Sequence, residues 1–586
     1  MSVNIIGLSA YYHDSACCIL QDGVLKAAVQ EERFSRKKND PALPREAFLY
    51  CMEAANVSIA DINCIAYYED PVKKLARQLW SGNKKITAHQ AIKTDPNYVE
   101  KQIRAQLGYH GPIKFYDHHL SHAASSFFYS GFESAAILTV DGVGEWATTT
   151  YGTGKGNQVS IFEEVTFPDS IGLLYSTITS FLGFSVNSGE YKVMGLAPYG
   201  TAKYVDKIWQ LIIPEAGGQY RLDMKYFDFL EGTRMYSSAL SELLGMPPRV
   251  KHSDILQQHE DIAKSLQIVL EEILLQKAKY LHEKTGAENL CMAGGVALNC
   301  VANGRILREG PYKKLFVQPA ANDAGCAVGA AALAHAELTG EGLKKRLEHV
   351  YLGPEYDRSS IEKLLAATSL KFRDYRGNIE EQLKITAQKI ADGKVIGWFH
   401  GRLEFGPRSL GARSILADPR DPTMRDRINA MVKMREAFRP FAPAVLESKA
   451  AAHFEIDHPS PFMLETCQVK SSFDLPAITH VDGSARVQTV SEETNAKFAG
   501  LLKAFEEITG CPIVLNTSFN VKDEPIVCTP EEALACFITT DIDCLVLEDF
   551  IIDNDDNDLS VLEVISKSLG DRFEEFEVNP NVYTFI

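Results

Sequence analysis

Two well-separated stretches of the chain repeat one pattern, and that repetition narrows the fold more than any other feature. Near the amino terminus VNIIGLSA, SACCILQ and GVLKAAVQ are three short apolar runs, separated by YYHD and by Asp22-Gly23. An Asp-Gly pair between apolar runs is a strong signal for a two-residue hairpin, because both residues tolerate left-handed backbone angles. Further on, SAAILTVDG, WATTTYG and QVSIFEEVTF form a second set with glycine-rich connections. Each set predicts a three-stranded meander with a polar tight turn after its first strand. Between and after them lie helical stretches such as DILQQHEDIAKSLQIVLEEILLQKAKYLHEKTG, whose apolar residues recur at intervals of three and four. The fold class is therefore α/β, with a duplicated unit in its first half.

A duplicated sheet followed by helices resembles the actin, Hsp70 and sugar-kinase superfamily, in which the turns after the first strand of each half face a nucleotide phosphate. LCMAGGVALNCVANGRIL fits that arrangement as an apolar strand, a Gly294-Gly295 turn and a helix carrying Asn299. Paired glycines let the backbone approach a ligand, and a helix start can bond an anion or an adenosine ribose. In VQPAANDAGCAVGAAAL, Asp323 stands just ahead of a small-residue helix, where aspartate most often caps.

At 586 residues the chain is too long for one core. The patterns restart around YLGPEYD, so two domains are expected, 1–350 and 351–586. The second opens with a helix (IEEQLKITAQKIADG) and a strand (KVIGWFHG), and then becomes unusual. From Arg402 to Arg439 there are nine arginines or lysines against five acids, although the whole chain carries a net charge of −17. The overall charge opposes general attraction to nucleic acid or to an anionic membrane, so no nucleic-acid or membrane partner is expected. Arginines beside glycine and proline turns present forked donors at fixed angles, which points to a phosphate or carboxylate ligand. ARVQTV and VLNTSFNVKDEPIV add Arg486, Asn516, Thr517, Ser518 and Asn520, short polar side chains after an apolar strand, as at a pocket rim.

Twelve scattered cysteines without a C-x-x-C pair argue for reduced, buried thiols in a cytoplasm. The start, MSVNIIGLSAYYHD, has neither the basic region nor the long apolar core of a signal peptide, and no uncharged apolar run is long enough to span a bilayer. In YDHHLSHAAS, His118 and His122 share one helical face while His119 points about a quarter turn away. On spacing alone, a weak signal, these imidazoles suit a metal or proton chemistry less well than a solvated polar surface.

The runs SAYYHDSA, QEERFSRKKND, DHHLSHAASSFFYSGFESAAILTVDGVGEW, MGLAPYG, AGGVALN, EFGPRSLGARSILADPR, REAFRPFAP and NTSFN, in this order, resemble the NodU/CmcH O-carbamoyltransferases. That family tailors nodulation factors, antibiotics and other secondary metabolites. The resemblance implies an actin-like metal- and carbamoyl-adenylate-binding transfer domain, followed by a YrdC-like domain that forms carbamoyl-adenylate.

It implies His118, His122, Asp141 and Asp323 as ligands of a divalent metal, for which iron(II) is a suitable ion. His13 matches the catalytic base, and Arg408, Lys433, Arg439, Arg486 and Ser518 match positions that hold carbamoyl phosphate and ATP, the latter with Mg2+; Asn520 joins them. The resemblance implies a hydroxyl of a small-molecule natural product as the acceptor, a passage inside the protein is expected to shield the intermediate, and the oligomeric state stays open, a homodimer being one candidate. Asp523 stands where relatives carry glycine, which puts the conformation of that loop in question. Two other readings remain at this point: a tRNA-modifying enzyme making threonylcarbamoyl-adenylate, and a non-catalytic nucleotide-binding sensor.

Overall fold

The first predicted meander is present as β1 (Asn4–Ser9), β2 (Ala16–Gln21) and β3 (Val24–Gln30), all antiparallel. Asp22 and Gly23 both take positive φ, 50° and 76°, which matches the twist of the flanking strands. β4 (Cys64–Tyr67) and β5 (Ile113–Phe115) extend the sheet in parallel, giving the order β3-β2-β1-β4-β5. The second meander repeats this plan. β6 (Ser134–Val140), β7 (Ala147–Lys155) and β8 (Gln158–Thr166) are antiparallel, and β9 (Asn289–Ala293) and β10 (Lys314–Val317) add in parallel, in the order β10-β9-β6-β7-β8. Two sheets of identical order are the duplicated actin-like architecture.

This computed structural model describes residues 2–81, 95–230, 234–343, 345–433 and 436–557. Among them, one unit holds the chain up to Glu31 together with Asn39–Leu347, and a second holds Glu32–Lys38 together with the chain from Glu348. No helix among the described residues is long and apolar enough to cross a membrane. All twelve cysteines are buried and free, as their scatter predicted.

In the first unit two helices pack together and carry much of the site. α1 (His118–Ser130) is buried along nearly its whole length despite the sequence HHLSHAASSFFYS. Three of its four serines tolerate burial by bonding back to carbonyls of the preceding turn: Ser125 to His122, Ser126 to Ala123 and Ser130 to Phe127. α2 (Asp323–Thr339) is built from alanine and glycine and is buried through most of its length. A Cβ on Gly329 would lie 1.9 Å from the Ser121 carbonyl oxygen, so the helices meet backbone to backbone and only glycine fits there.

The second unit is a mixed eight-stranded α/β sheet. Its strands are β11 (Arg373–Asp374), β12 (Ile396–Phe399), β13 (Arg413–Ala417), β14 (Ala442–Leu446), β15 (Gln488–Val490), β16 (Ile513–Ser518), β17 (Cys544–Leu547) and β18 (Phe550–Asp553), in the order β11-β18-β17-β12-β13-β16-β14-β15. The expected helix before β12 spans Ile379–Ala391. Trp398, Ile415, Val445, Leu515 and Phe537, all fully buried, belong to one apolar core around this sheet.

Candidate functional site

His118 and His122 lie one turn apart on α1 and point the same way, as their spacing predicted. Asp141 follows the end of β6 and Asp323 opens α2, with Asn322 as the helix cap. The fold brings the four side chains together in the first unit. His118 Nε2 lies 3.2 Å from Asp141 Oδ2 and 3.6 Å from Asp323 Oδ1, and His122 Nε2 lies 3.7 Å and 3.6 Å from the same two oxygens. All four residues are at most 3% exposed.

Only the shortest of these separations is a hydrogen bond. His122 Nε2 and both Asp323 oxygens are buried without a hydrogen-bond partner. A buried carboxylate left that way costs several kcal/mol unless an opposite charge faces it. Donors that share one small cation at about 2.1 Å stand about 3 to 3.5 Å apart, close to the spacing seen here. Two imidazoles and two carboxylates with orphaned lone pairs therefore fit a divalent cation.

Cys326, one turn after Asp323 on α2, also brings its sulfur within 4.8 Å of donor atoms of His118, His122 and Asp323. Sequence reasoning missed it, although the i, i+3 spacing in DAGC is a legible signal. Burial pushes its thiol up to about 12, and a bound cation would act to deprotonate it, so Cys326 is a further candidate ligand beside Asp141. Burial acts to raise the Asp141 carboxyl as well, but the adjacent imidazoles of His118 and His122 hold it well below the usual carboxylate range.

Several neighbours orient this set. Gly295 N–H donates to Asp141 Oδ1 at 2.9 Å. Gly294 has φ 93°, and a Cβ there would lie 2.2 Å from the Val140 carbonyl oxygen, so the glycine pair is required to bring β9 past the end of β6. Glu145 accepts the backbone N–H of His118 at 2.9 Å and that of Asp70 at 2.6 Å, which anchors the start of α1. His119 Nδ1 bonds Thr139 Oγ1 at 2.6 Å, and burial keeps its imidazole neutral. The side chain of Asn299 is engaged by the protein itself: it caps the helix Cys300–Glu309 through Ala302 N–H and exchanges two hydrogen bonds with Gln267.

His13 sits in the turn between β1 and β2, where Tyr11 and Asp14 both have positive φ, 68° and 55°. Such angles are uncommon outside glycine and turn the loop sharply. The turn is tied down by Tyr11 N–H to Pro41 O at 2.8 Å and Ser15 N–H to Asp40 O at 3.1 Å. His13 Nδ1 donates to Asp14 Oδ2 at 2.9 Å, and Nε2 stands 3.9 Å from Asp323 Oδ2, beside the four donors. Burial alone would lower the pKa of this imidazole, but the carboxylates of Asp323 and Asp14 reverse the effect and hold it at about 9. The turns after the first strand of both halves thus converge on one place.

In the second unit the basic cluster separates into two groups. Arg402 donates to the Leu352 and Gly353 carbonyls, Arg420 pairs with Asp418, Arg425 with Asp426 and Arg427 with Asp543. Arg413, fully buried, donates to the carbonyls of His400, Gly401, Ala412 and Pro354 and lies 3.5 Å over the Phe399 ring. These cations build the loops. Lys433 instead reaches Ser518 and Asn520: its Nζ donates to Ser518 O at 2.5 Å, Asn520 O at 2.8 Å and Asn520 Oδ1 at 2.7 Å. Three predicted site residues from distant stretches therefore meet.

The stretches that carry Arg408 and Arg486 are tied to the strand that carries Ser518. Asn516, two residues before Ser518, donates to Ser409 O at 3.3 Å and to Gln488 Oε1 at 2.8 Å, while Gln488 donates to Leu410 O at 2.8 Å. Glu404, which sequence reasoning passed over, shapes the Arg408 loop by accepting the N–H groups of Leu410 and Ala412, each at 2.7 Å. Arg439 lies on the approach to β14, which pairs with β16. Asp523 takes φ 64°, the left-handed conformation a glycine would adopt, so the aspartate preserves that turn.

Comparison with known proteins covers both units. Residues 4–332 match the family model described as carbamoyltransferase N-terminus, and residues 387–554 the one described as carbamoyltransferase C-terminus. An uncharacterized protein of Synechocystis sp. is 45% identical, over 94% of this chain and 96% of its own length. Nodulation protein NolNO of Sinorhizobium fredii is 43% identical, over 93% of this chain and 79% of its own. Among solved structures, HypF of T. kodakarensis is similar over 58% of this chain and 48% of its own, with 14% identity and a TM-score of 0.30.

Proposed function

Because the chain belongs to the carbamoyltransferase family, we propose that it is an ATP-dependent O-carbamoyltransferase, moving a carbamoyl group from carbamoyl phosphate through carbamoyl-adenylate to a hydroxyl of a small-molecule natural product. The observation that carries this reading is the position of His13 Nε2, 3.9 Å from Asp323 within a cluster of buried metal-ligating side chains. A proton acceptor beside a cation site is what acyl transfer to a hydroxyl needs.

In the second unit, carbamoyl phosphate first loses inorganic phosphate to water and leaves carbamate. A carbamate oxygen then bonds the α-phosphorus of ATP as the bond to the bridging oxygen breaks, releasing pyrophosphate. Arg408, Lys433, Arg439 and Arg486 neutralise the phosphate oxygens, while Ser518 and Asn520 orient them, so that the two anions can approach each other. Carbamate is a poor electrophile, and joining it to adenylate supplies a good leaving group.

In the first unit the acceptor hydroxyl bonds the carbamoyl carbon, its proton passes to His13 Nε2, and the bond to the adenylate oxygen breaks, releasing AMP. In the neutral imidazole, donation from Nδ1 to Asp14 leaves the lone pair on Nε2, which faces the cluster. A divalent cation on His118, His122, Asp141 and Asp323, for which iron(II) is suitable, would supply positive charge for the transferring group and offset the carboxylate field that holds His13 protonated. Burial of the cluster keeps water from the mixed anhydride.

The test is to incubate the protein with carbamoyl phosphate, ATP, Mg2+ and candidate hydroxyl compounds, and to follow pyrophosphate, AMP and carbamoylated product by mass spectrometry. Pyrophosphate release that requires carbamoyl phosphate is the expected result. Release that requires threonine instead, or binding without turnover under every divalent metal tried, would overturn the reading.

A further inference from the structure

The run QEERFSRKKND has no part in the chemistry above, yet its centre, Glu32–Lys38, groups with the second unit. Arg33, 2% exposed, pairs with Glu32 at 2.7 Å and donates to the Gly406 carbonyl at 2.8 Å, two residues before Arg408. Arg36 donates to the Ile526 and Pro525 carbonyls, both at 2.8 Å, and pairs with Glu532 at 3.2 Å. Its backbone is in the left-handed region, φ 59°.

Those two carbonyls belong to the loop that leaves β16 after Ser518. The loop closes on itself through Val527 N–H to Phe519 O at 2.9 Å and Asn520 Nδ2 to Glu524 O at 2.6 Å. Lys433 also grips it, through Asn520. Burial pushes the Glu524 carboxyl up, and Arg36 and Lys433 both act to pull it back, so the two cations share one carboxylate neighbour. A guanidinium can serve two consecutive carbonyls in fixed directions, which a lysine ammonium does not reproduce.

We propose that Arg36, assisted by Arg33, is a positioning residue for the phosphate-handling pocket of the second unit. Arg36 fixes loop 519–527, and with it Ser518, Asn520 and Lys433, and Arg33 fixes Gly406, and with it Arg408. The ligand of that pocket rests on the carbamoyl-adenylate reading; the clamp on the loop does not.

The experiment uses Arg36→Ala and Arg36→Lys in the full chain. It measures amide hydrogen exchange across 519–527 without ligand, the affinity for a non-hydrolysable ATP analogue by calorimetry, and KM against kcat for pyrophosphate release. Both variants are expected to exchange at least tenfold faster in that loop, to bind the analogue at least tenfold more weakly and to raise KM more than they lower kcat, with Tm within a few degrees of wild type. Should the alanine variant not fold, the lysine variant, which keeps the charge and stem, decides. Wild-type exchange in the loop overturns the clamp. Faster exchange with affinity changed less than tenfold overturns its role in the pocket. A wild-type protein that binds no analogue overturns the adenylate reading and, with it, the pocket assignment, while loop exchange still judges the clamp.

Discussion

The backbone N–H of Gly295 donates to Asp141 Oδ1 at 2.9 Å, and a Cβ at position 295 would stand 2.9 Å from that same oxygen. A side chain here strikes the one carboxylate whose orientation the glycine sets. Gly295→Val is expected to lower bound divalent metal at least tenfold, with a parallel loss of carbamoyl transfer, while the circular-dichroism spectrum is unchanged. Metal content measured by inorganic mass spectrometry is the check, and full occupancy in the variant would remove Asp141 from the ligand set.

His13→Asn removes the proton acceptor and keeps a side chain able to bond Asp14. Transfer to the acceptor is expected to fall by about 10²- to 10⁴-fold, with carbamoyl phosphate-dependent pyrophosphate release unchanged. Loss of both steps together would show that the work is not divided between the two units.

Lys433→Ala makes the opposite cut. It strips the donor that holds Ser518 and Asn520, so pyrophosphate release is expected to drop by about 10²- to 10³-fold, while transfer from supplied carbamoyl-adenylate continues. Comparing the two variants in one assay of both half-reactions checks the assignment.

Lys277 offers a test of stability in the first unit, outside the candidate metal site. It is fully buried, donates to Tyr151 Oη at 2.9 Å and lies 4.7 Å over the Tyr220 ring, and burial pushes its ammonium down to about 7. Because the folded pKa lies below the ordinary lysine value, the folded state loses stability as pH falls from about 10 towards 7, and the cost is complete below 7. Tm of wild type relative to Lys277→Met is therefore expected to rise between pH 7 and 9. A difference that does not move with pH would mean the amine keeps its proton there.

Much of this was legible in the sequence because it is local. The Asp22-Gly23 hairpin, both meanders and the shared face of His118 and His122 follow from turn chemistry and periodicity. What could not be read depends on distant partners. Arg408 and Arg413 are five residues apart in one glycine-rich stretch that leads into β13, yet Arg413 turns inward onto four carbonyls and a phenyl ring, and nothing in their spacing distinguishes them. Asn299 had the right position to meet a nucleotide, but Gln267 on the helix Gln257–Thr285 engages its amide. Residues 32–38 look continuous with the first meander, and only their long-range hydrogen bonds assign them to the second unit.

Tyr11 and Asp14 hold left-handed backbones on either side of His13, and such conformations cost L-residues of order 1 kcal/mol each. Glycine at either position would relieve that cost and would also release the imidazole from its fixed direction. On the proposed role of His13, thermal robustness and aim are therefore opposed at this turn: a more heat-resistant version obtained there would be a slower catalyst.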